Sequence, residues 1–265
     1  MIFKRLSILS LLSIVTIATY SQLTPPAATQ NPTAVSLARN SVAALSGSVQ
    51  ISDVTLTGSA TRTAGSDSET GSITLKALGN PNSRFDLVLT SGTSSEIRNA
   101  SGGESQGLWI TPDGVSHAMA AHNTFTDAAW FVPELTVISQ LSNPNLIVSY
   151  VGQESRAGAA VQHLHFAIQS APTDPTGLFE GLSAEDVYLD AATLLPVALI
   201  FNTHPDNDAN TKISVEIDYS SYQPVKGAQV PFHIQKLLNG TLFLDITVQT
   251  ANINSGLSET SFLAQ

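Results

Sequence analysis

Two periodicities divide this chain of 265 residues. After Pro32, apolar side chains recur near helical spacing at Val35, Leu37, Ala38, Val42 and Leu45, and Gly47 follows as a stop. That spacing predicts one helix lying on something apolar. From Val49 the repeat shortens to two. In "SITLKAL" Ile73, Leu75 and Ala77 share a face, and in "SRFDLVLT" Phe85, Leu87 and Leu89 oppose Asp86, Val88 and Thr90. Such alternation marks half-buried strands, and "LGNPNS" and "TSGTSS" between the runs carry turn residues. The alternation breaks after the short strand "LWITPDG". Across "AMAAHNTFTDAAWFVPELTVISQLSN", Trp130, Phe131, Leu135, Ile138 and Leu141 fall at helix-like intervals, with Pro133 where an early helical turn tolerates proline. One or two central helices are predicted there.

Strands resume at "NLIVSYVGQ" and "AVQHLHFAIQ". "AEDVYLDAATLLPVALIF" reads as two strands joined at "DAAT". "TKISVEIDYSSY" places Ile213, Val215, Ile217 and Tyr219 inward and Glu216 and Asp218 outward. "VPFHIQKLLNGTLFLDITVQ" is a hairpin turned by Asn239-Gly240, a dipeptide suited to a type I′ turn. The count is about eleven strands, which predicts a mainly β (α+β) fold with helical cover. No internal repeat or second domain boundary is visible.

Composition adds a destination. Lys4 and Arg5 precede an apolar run from Leu6 to Ile17, the layout of a signal peptide over residues 1–21. A proline-bearing spacer, 22–32, and a single domain, 33–265, follow. Removing the signal leaves 9 basic and 21 acidic side chains, a formal charge of −12. A chain so acidic lacks the basic patch that nucleic acid or an anionic membrane requires. Cysteine is absent, which removes disulfides, thiolate metal sites and an N-terminal lipid anchor. An exported protein, periplasmic or secreted and not lipid-anchored, is expected.

Four motifs invite a chemical reading. His117, His122 and Asp127, with Asp113 upstream, have metal-ligand composition, but zincins need His at i and i+4 with a Glu between. The same stretch reads as a loop and short helix whose Trp130 and Phe131 plug the open end of the sheet, with His122 and Asn123 satisfying backbone groups. "GESQG" at 103–107 matches a nucleophile elbow around Ser105, yet it joins a polar turn to a strand where the elbow needs a strand and then a helix. "DNDAN" at 206–210 begins like a calcium loop, but Thr211 and Ile217 occupy the positions of the required Gly and Glu. His163 and His165 share one strand face without a third ligand, and are expected to point outward into solvent. No motif implies a metal, cofactor or catalytic residue, and a non-enzymatic role is expected.

The C-terminal third carries a resemblance. "VYLDAATLLPVALIF", "VEIDYSSYQPVKGAQVPFHI" and "ITVQTANINSGLSETSF" are similar to segments of the outer-membrane lipoprotein-sorting (LolA/LolB-like) family, as is "ISDVTLTGSAT" after the first helix. In this scaffold Pro196 and Pro231 suit strand starts, Gly227 a tight turn, and Tyr219 with Phe232 the underside of the sheet. The resemblance implies an incomplete, curved antiparallel barrel, lidded by helices and enclosing an apolar cavity for a lipid, acyl chain or lipoprotein. Strand alternation independently puts Leu56, Leu75, Phe85, Leu87, Leu89, Leu164, Phe166, Leu199, Ile217, Phe232 and Leu244 on the inward wall. Trp130 and Phe131 are expected to lie across it, with Trp130 near the mouth. The chain is longer than the sorting chaperones, and the extra length falls in its middle. An envelope protein partner bound without any ligand, or a metal- or serine-dependent hydrolase using the 103–127 region, remain alternative readings.

Overall fold

The computed structural model describes residues 30–79, 81–101, 104–170, 174 and 176–263. The predicted signal peptide, and the spacer up to residue 29, lie outside the described residues. The first helix forms as α1 (Pro32–Ser46), where Asn31 Oδ1 accepts from the N–H groups of Thr33 and Ala34 at 3.0 and 3.1 Å. These are donors that the first helical turn cannot satisfy itself. At its other end Gly47 adopts φ +56°, and a Cβ there would stand 2.3 Å from the carbonyl oxygen of Gly227. Only glycine fits both the conformation and the space. The helix buries Ala34, Ala38, Ser41 and Leu45, and lies against β-sheet and the central segment.

Among the described residues thirteen antiparallel strands make one sheet. The first block is β1 (Val54–Ala64), β2 (Asp67–Ala77), β3 (Ser83–Leu89), β4 (Gly92–Ser101), β5 (Glu104–Ile110) and β6 (Ser116–Ala118). The second is β7 (Leu146–Arg156), β8 (Ala159–Ile168), β9 (Glu185–Asp190), β10 (Pro196–Thr203), β11 (Ile213–Val225), β12 (Ala228–Leu238) and β13 (Thr241–Ile253). Each block is a meander, and β1 pairs with β13 to join them, from Val54 opposite Ile253 to Arg62 opposite Leu244. The free edges are β6 and β7. Pairing those two would close a barrel. The segment between them instead crosses the concave face, so the sheet is a curved, incomplete barrel filled by its own chain.

Alternation proves a sound guide to side. Leu56, Leu75, Leu87, Leu89, Leu164, Phe166, Leu199, Ile217 and Leu244 are buried in one core, and half-buried Phe85 and Phe232 pack against it. Ile217 and Tyr219 are likewise buried there, with Glu216 and Asp218 outside. Asn239 and Gly240 have φ +48° and +74°, the two positive values that a type I′ turn needs. The "DAAT" turn is held by Asp190 Oδ1, which accepts from the N–H groups of Ala192 and Thr193 and from the Thr193 hydroxyl.

Three expectations need correction. The central helices are single 3₁₀ turns at Ala121–Asn123, Pro133–Leu135 and Val137–Ser139. An amphipathic helix needs a wet face, whereas Ala128–Glu134 and Thr136–Ile138 are buried throughout. The spacing there reported burial on every side and not a helical stripe. Second, β4 and β6 went unread, since β4, "GTSSEIRNAS", has few apolar residues to alternate. Third, Pro196 opens β10 as expected, but Pro231 lies inside β12 opposite Tyr222, before β12 begins pairing with β13 at His233. On that side no ladder bond is lost to its missing N–H.

Candidate functional site

The central segment is held in the half-barrel by polar bonds as well as apolar contact. Tyr219 donates its hydroxyl proton to the carbonyl of Trp130, and Arg98 donates to that of Thr126 at 3.0 Å. Asp127 accepts from the Val137 N–H at 2.6 Å, while its own N–H donates to Glu185 Oε1 at 2.8 Å. Both carboxyls are buried. Burial raises Asp127 to about 6, against the pull of its bonds to Glu185 and Val137. Burial, and then the charge of Asp127, push Glu185 well above the usual carboxylate range. The pair therefore retains a proton where exposed acids have lost theirs. Near α1, buried Glu134 accepts from the Ser46 hydroxyl at 2.6 Å and its acidity is also weakened by burial.

Beside this plug lies a cavity of about 500 Å³, partly open to solvent. One wall is β4 and β5, with Glu96, Arg98 and Trp109. The opposite wall is β10 to β13, with Phe201, Thr203, Val215, Lys236, Leu238 and Phe243. Trp130 closes the bottom, and Met119, Asn123, His204, Pro205 and Asp206 complete the lining. Trp130 is only 2% exposed, so it is the floor and not the mouth; Trp109, 38% exposed and stacked 4.1 Å from the ring of His117, is at the rim. The Lys236 ammonium lies 4.7 Å from the centre of the Trp130 ring, a cation–π distance. Burial lowers its pKa, with the charge of Glu96 opposing that. His204 presents Nδ1 to the Thr211 carbonyl at 2.9 Å, leaving its buried Nε2 without a partner among the described residues.

Of the thirteen residues expected to face a ligand, Trp130 lines this cavity. Phe131 and the eleven strand residues lie in or against the packed core. Sequence reasoning did not find Lys236 or Trp109. Lys236 had a readable signal: in "HIQKLL" it follows Ile234 and precedes Leu238 on the inward face, one charge interrupting an apolar row.

The four motifs disperse. Asp127 is buried on the plug, His117 stacks on Trp109, and His122 Nε2 lies 3.0 Å from the carbonyl of Pro205. Asn123 donates to the His204 carbonyl and accepts from the His204 N–H, so these two side chains do satisfy backbone groups. Ser105 is on β5 with its hydroxyl directed to the Thr124 carbonyl at 3.4 Å, and not at a base. Asp208 closes its own loop on Asn210 and Thr211. His163 and His165 point outward, but carboxylates hold them where free solvation was expected. Asp186 Oδ1 lies 2.9 Å from a nitrogen of each ring, and Glu154 is 2.6 Å from His163. Among the described residues no group of three or more His, Asp or Glu is placed to hold a metal ion.

An open antiparallel half-barrel, plugged by an internal segment and covered by one helix, defines the class of protein. Its architecture is the LolA-like fold. An outer membrane lipoprotein-sorting protein domain from Vibrio parahaemolyticus superposes with a TM-score of 0.56 at 13% identity, covering 87% of this chain and 96% of that one. A DUF1329 family protein from Desulfovibrio piger gives 0.56 at 10% identity, with the same shares covered. A LolA superfamily protein from Nitrosomonas europaea gives 0.51 at 8%, covering 87% and 97%. No protein-family model matches the sequence, and no curated protein matches it. Among the described residues no helix is long and apolar enough to cross a membrane.

Proposed function

We propose that this chain is an exported, periplasmic carrier or binding protein for a lipid or other apolar ligand, acting without catalysis. The observation that carries this reading is the cavity of about 500 Å³ between the plug and the sheet, with Trp109, Trp130, Phe201 and Phe243 in its lining. Small-molecule sites run to about 300–1,000 Å³, and this cavity has that size, with its aromatic and aliphatic side chains set beside Glu96, Arg98, His204, Asp206 and Lys236. Each methylene buried there contributes about 0.8 kcal/mol, so an acyl chain is retained without specific polar contacts. Trp130 touches the ligand in this reading, and the packed wall from Leu56 to Leu244 supports the shape that receives it. The fold, shared with a lipoprotein-sorting domain, supports the same reading.

A fluorescent fatty-acyl probe, titrated into the protein, is expected to bind saturably. Leu238→Trp, which fills the cavity from its wall, is expected to abolish uptake while the fold survives by circular dichroism. Wild-type protein that takes up no probe, and yields no lipid on solvent extraction and mass spectrometry, would overturn the proposal. The alternative is then a scaffold for an envelope protein, a reading favoured by the extent to which the plug already fills the concave face.

A further inference from the structure

Lys236 is a charge in an unusual place. Its neighbours on the inward face are apolar: Ile234 and Leu238 on its own strand, and Ile217 and Leu244 opposite it on β11 and β13. A lysine on such a face normally carries its amine out to water or to a carboxylate. Here the amine turns over the Trp130 ring at the base of the cavity. Beyond that ring, the carboxylate that acts on it is Glu96, by charge and without a direct ion pair among the described residues. The other inward cation, Arg98, is committed, with Nε donating to Glu96 at 3.2 Å and Nη1 to the Thr126 carbonyl. Oε1 of Glu96 is thus engaged by Arg98, and Lys236, which feels the Glu96 charge but makes no direct ion pair with it, keeps its N–H donors free for a ligand.

A sheltered ammonium without a direct carboxylate contact is stabilised by an anion that joins it, since hydrogen bonds between charged groups are the strong ones. The aromatic floor holds the ammonium in place by its negative face, yet supplies no hydrogen-bond acceptor. We propose that the cavity selects anionic amphiphiles, placing the acid group of a single-chain carboxylate on Lys236 Nζ and its hydrocarbon against Trp109, Phe201 and Phe243. This rests on the apolar-ligand reading above and adds to it the charge and orientation of the ligand, acid end innermost.

The test uses decanoate and decanol, which share a chain length and differ in the acid group. Both tryptophans of the chain line the cavity, so intrinsic emission reports occupancy directly. Wild-type protein is expected to bind decanoate about tenfold or more tightly than decanol. Lys236→Met should bring decanoate down to the affinity of decanol while leaving decanol unchanged, and Lys236→Arg should keep the preference. Equal binding of acid and alcohol by wild type would overturn the proposal while leaving the apolar-ligand reading intact, and that comparison requires no variant to fold. Decanoate affinity unchanged in folded Lys236→Met would overturn it equally. Failure of both probes to bind wild type would sink the apolar reading together with the inference.

Discussion

Replacing Asp127 by asparagine is expected to flatten the fall of stability with pH. Asp127 is 2% exposed, faces Glu185, and is raised from 3.8 to about 6 chiefly by burial. A carboxyl raised in the folded state binds more protons folded than unfolded, so its contribution to stability is greatest at low pH. It disappears as pH rises through the folded value. At about 1.4 kcal/mol per pH unit between the two values, the loss totals about 3 kcal/mol from pH 3 to pH 8, roughly half of it above pH 5. The upper window is the useful one. Acids held low, such as Asp53, Asp86 and Asp174, are already ionised there and give little slope. Glu185, Glu134, Asp218 and His165 are raised and slope the same way as Asp127, so the comparison between proteins is the readout and not the wild-type slope alone. Asparagine keeps an acceptor for the Val137 N–H and cannot ionise. Urea unfolding at pH 5 and pH 8 should show wild type losing about 1–2 kcal/mol more than Asp127→Asn across that interval. Equal losses in the two proteins would refute the argument that this buried pair stores a proton.

Two further substitutions probe the frame. Phe131→Ala, at a side chain 1% exposed on the plug, should cost about 3–5 kcal/mol in urea unfolding, because the surrounding sheet cannot collapse onto the void. Gly47→Ala should cost about 2 kcal/mol or more, since its φ of +56° and its 2.3 Å approach to the Gly227 carbonyl both exclude a methyl group. A change below about 0.5 kcal/mol at either site would contradict the packing described.

Legibility in the sequence followed the apolar code. Where one face was oily, as in Ile73, Leu75 and Ala77 or Val215, Ile217 and Tyr219, period-two alternation gave both strand and side. Turns with special chemistry, Asn239-Gly240 and Asp190–Thr193, were equally plain. The code failed where the inward face turns polar. On β4 that face carries Glu96 and Arg98, and the strand was missed for the reason that makes it interesting: it is a wall of the cavity. The central segment misled in the opposite sense. It is enclosed almost everywhere, and a run buried on all sides has no period by which to distinguish a helix from a chain of tight turns. Neither Lys236 facing Trp130 nor the Asp127–Glu185 pair was deduced, because each joins elements far apart in sequence.

The pairing of β1 with β13 has a consequence in time. Val54 meets Ile253, so the first strand acquires one of its two neighbours only when the last is made. Local hairpins can form earlier, but a contact of such long sequence separation comes late and slows folding of the whole. The helix adds to the delay, since Gly47 nests against Gly227 in the hairpin between β11 and β12. A ribosome-bound fragment lacking its last strand is left with β1 and β12 each short of a neighbour, and the concave face cannot be assembled. Late closure therefore leaves both blocks of the sheet exposing apolar side chains until the C-terminal strand is available.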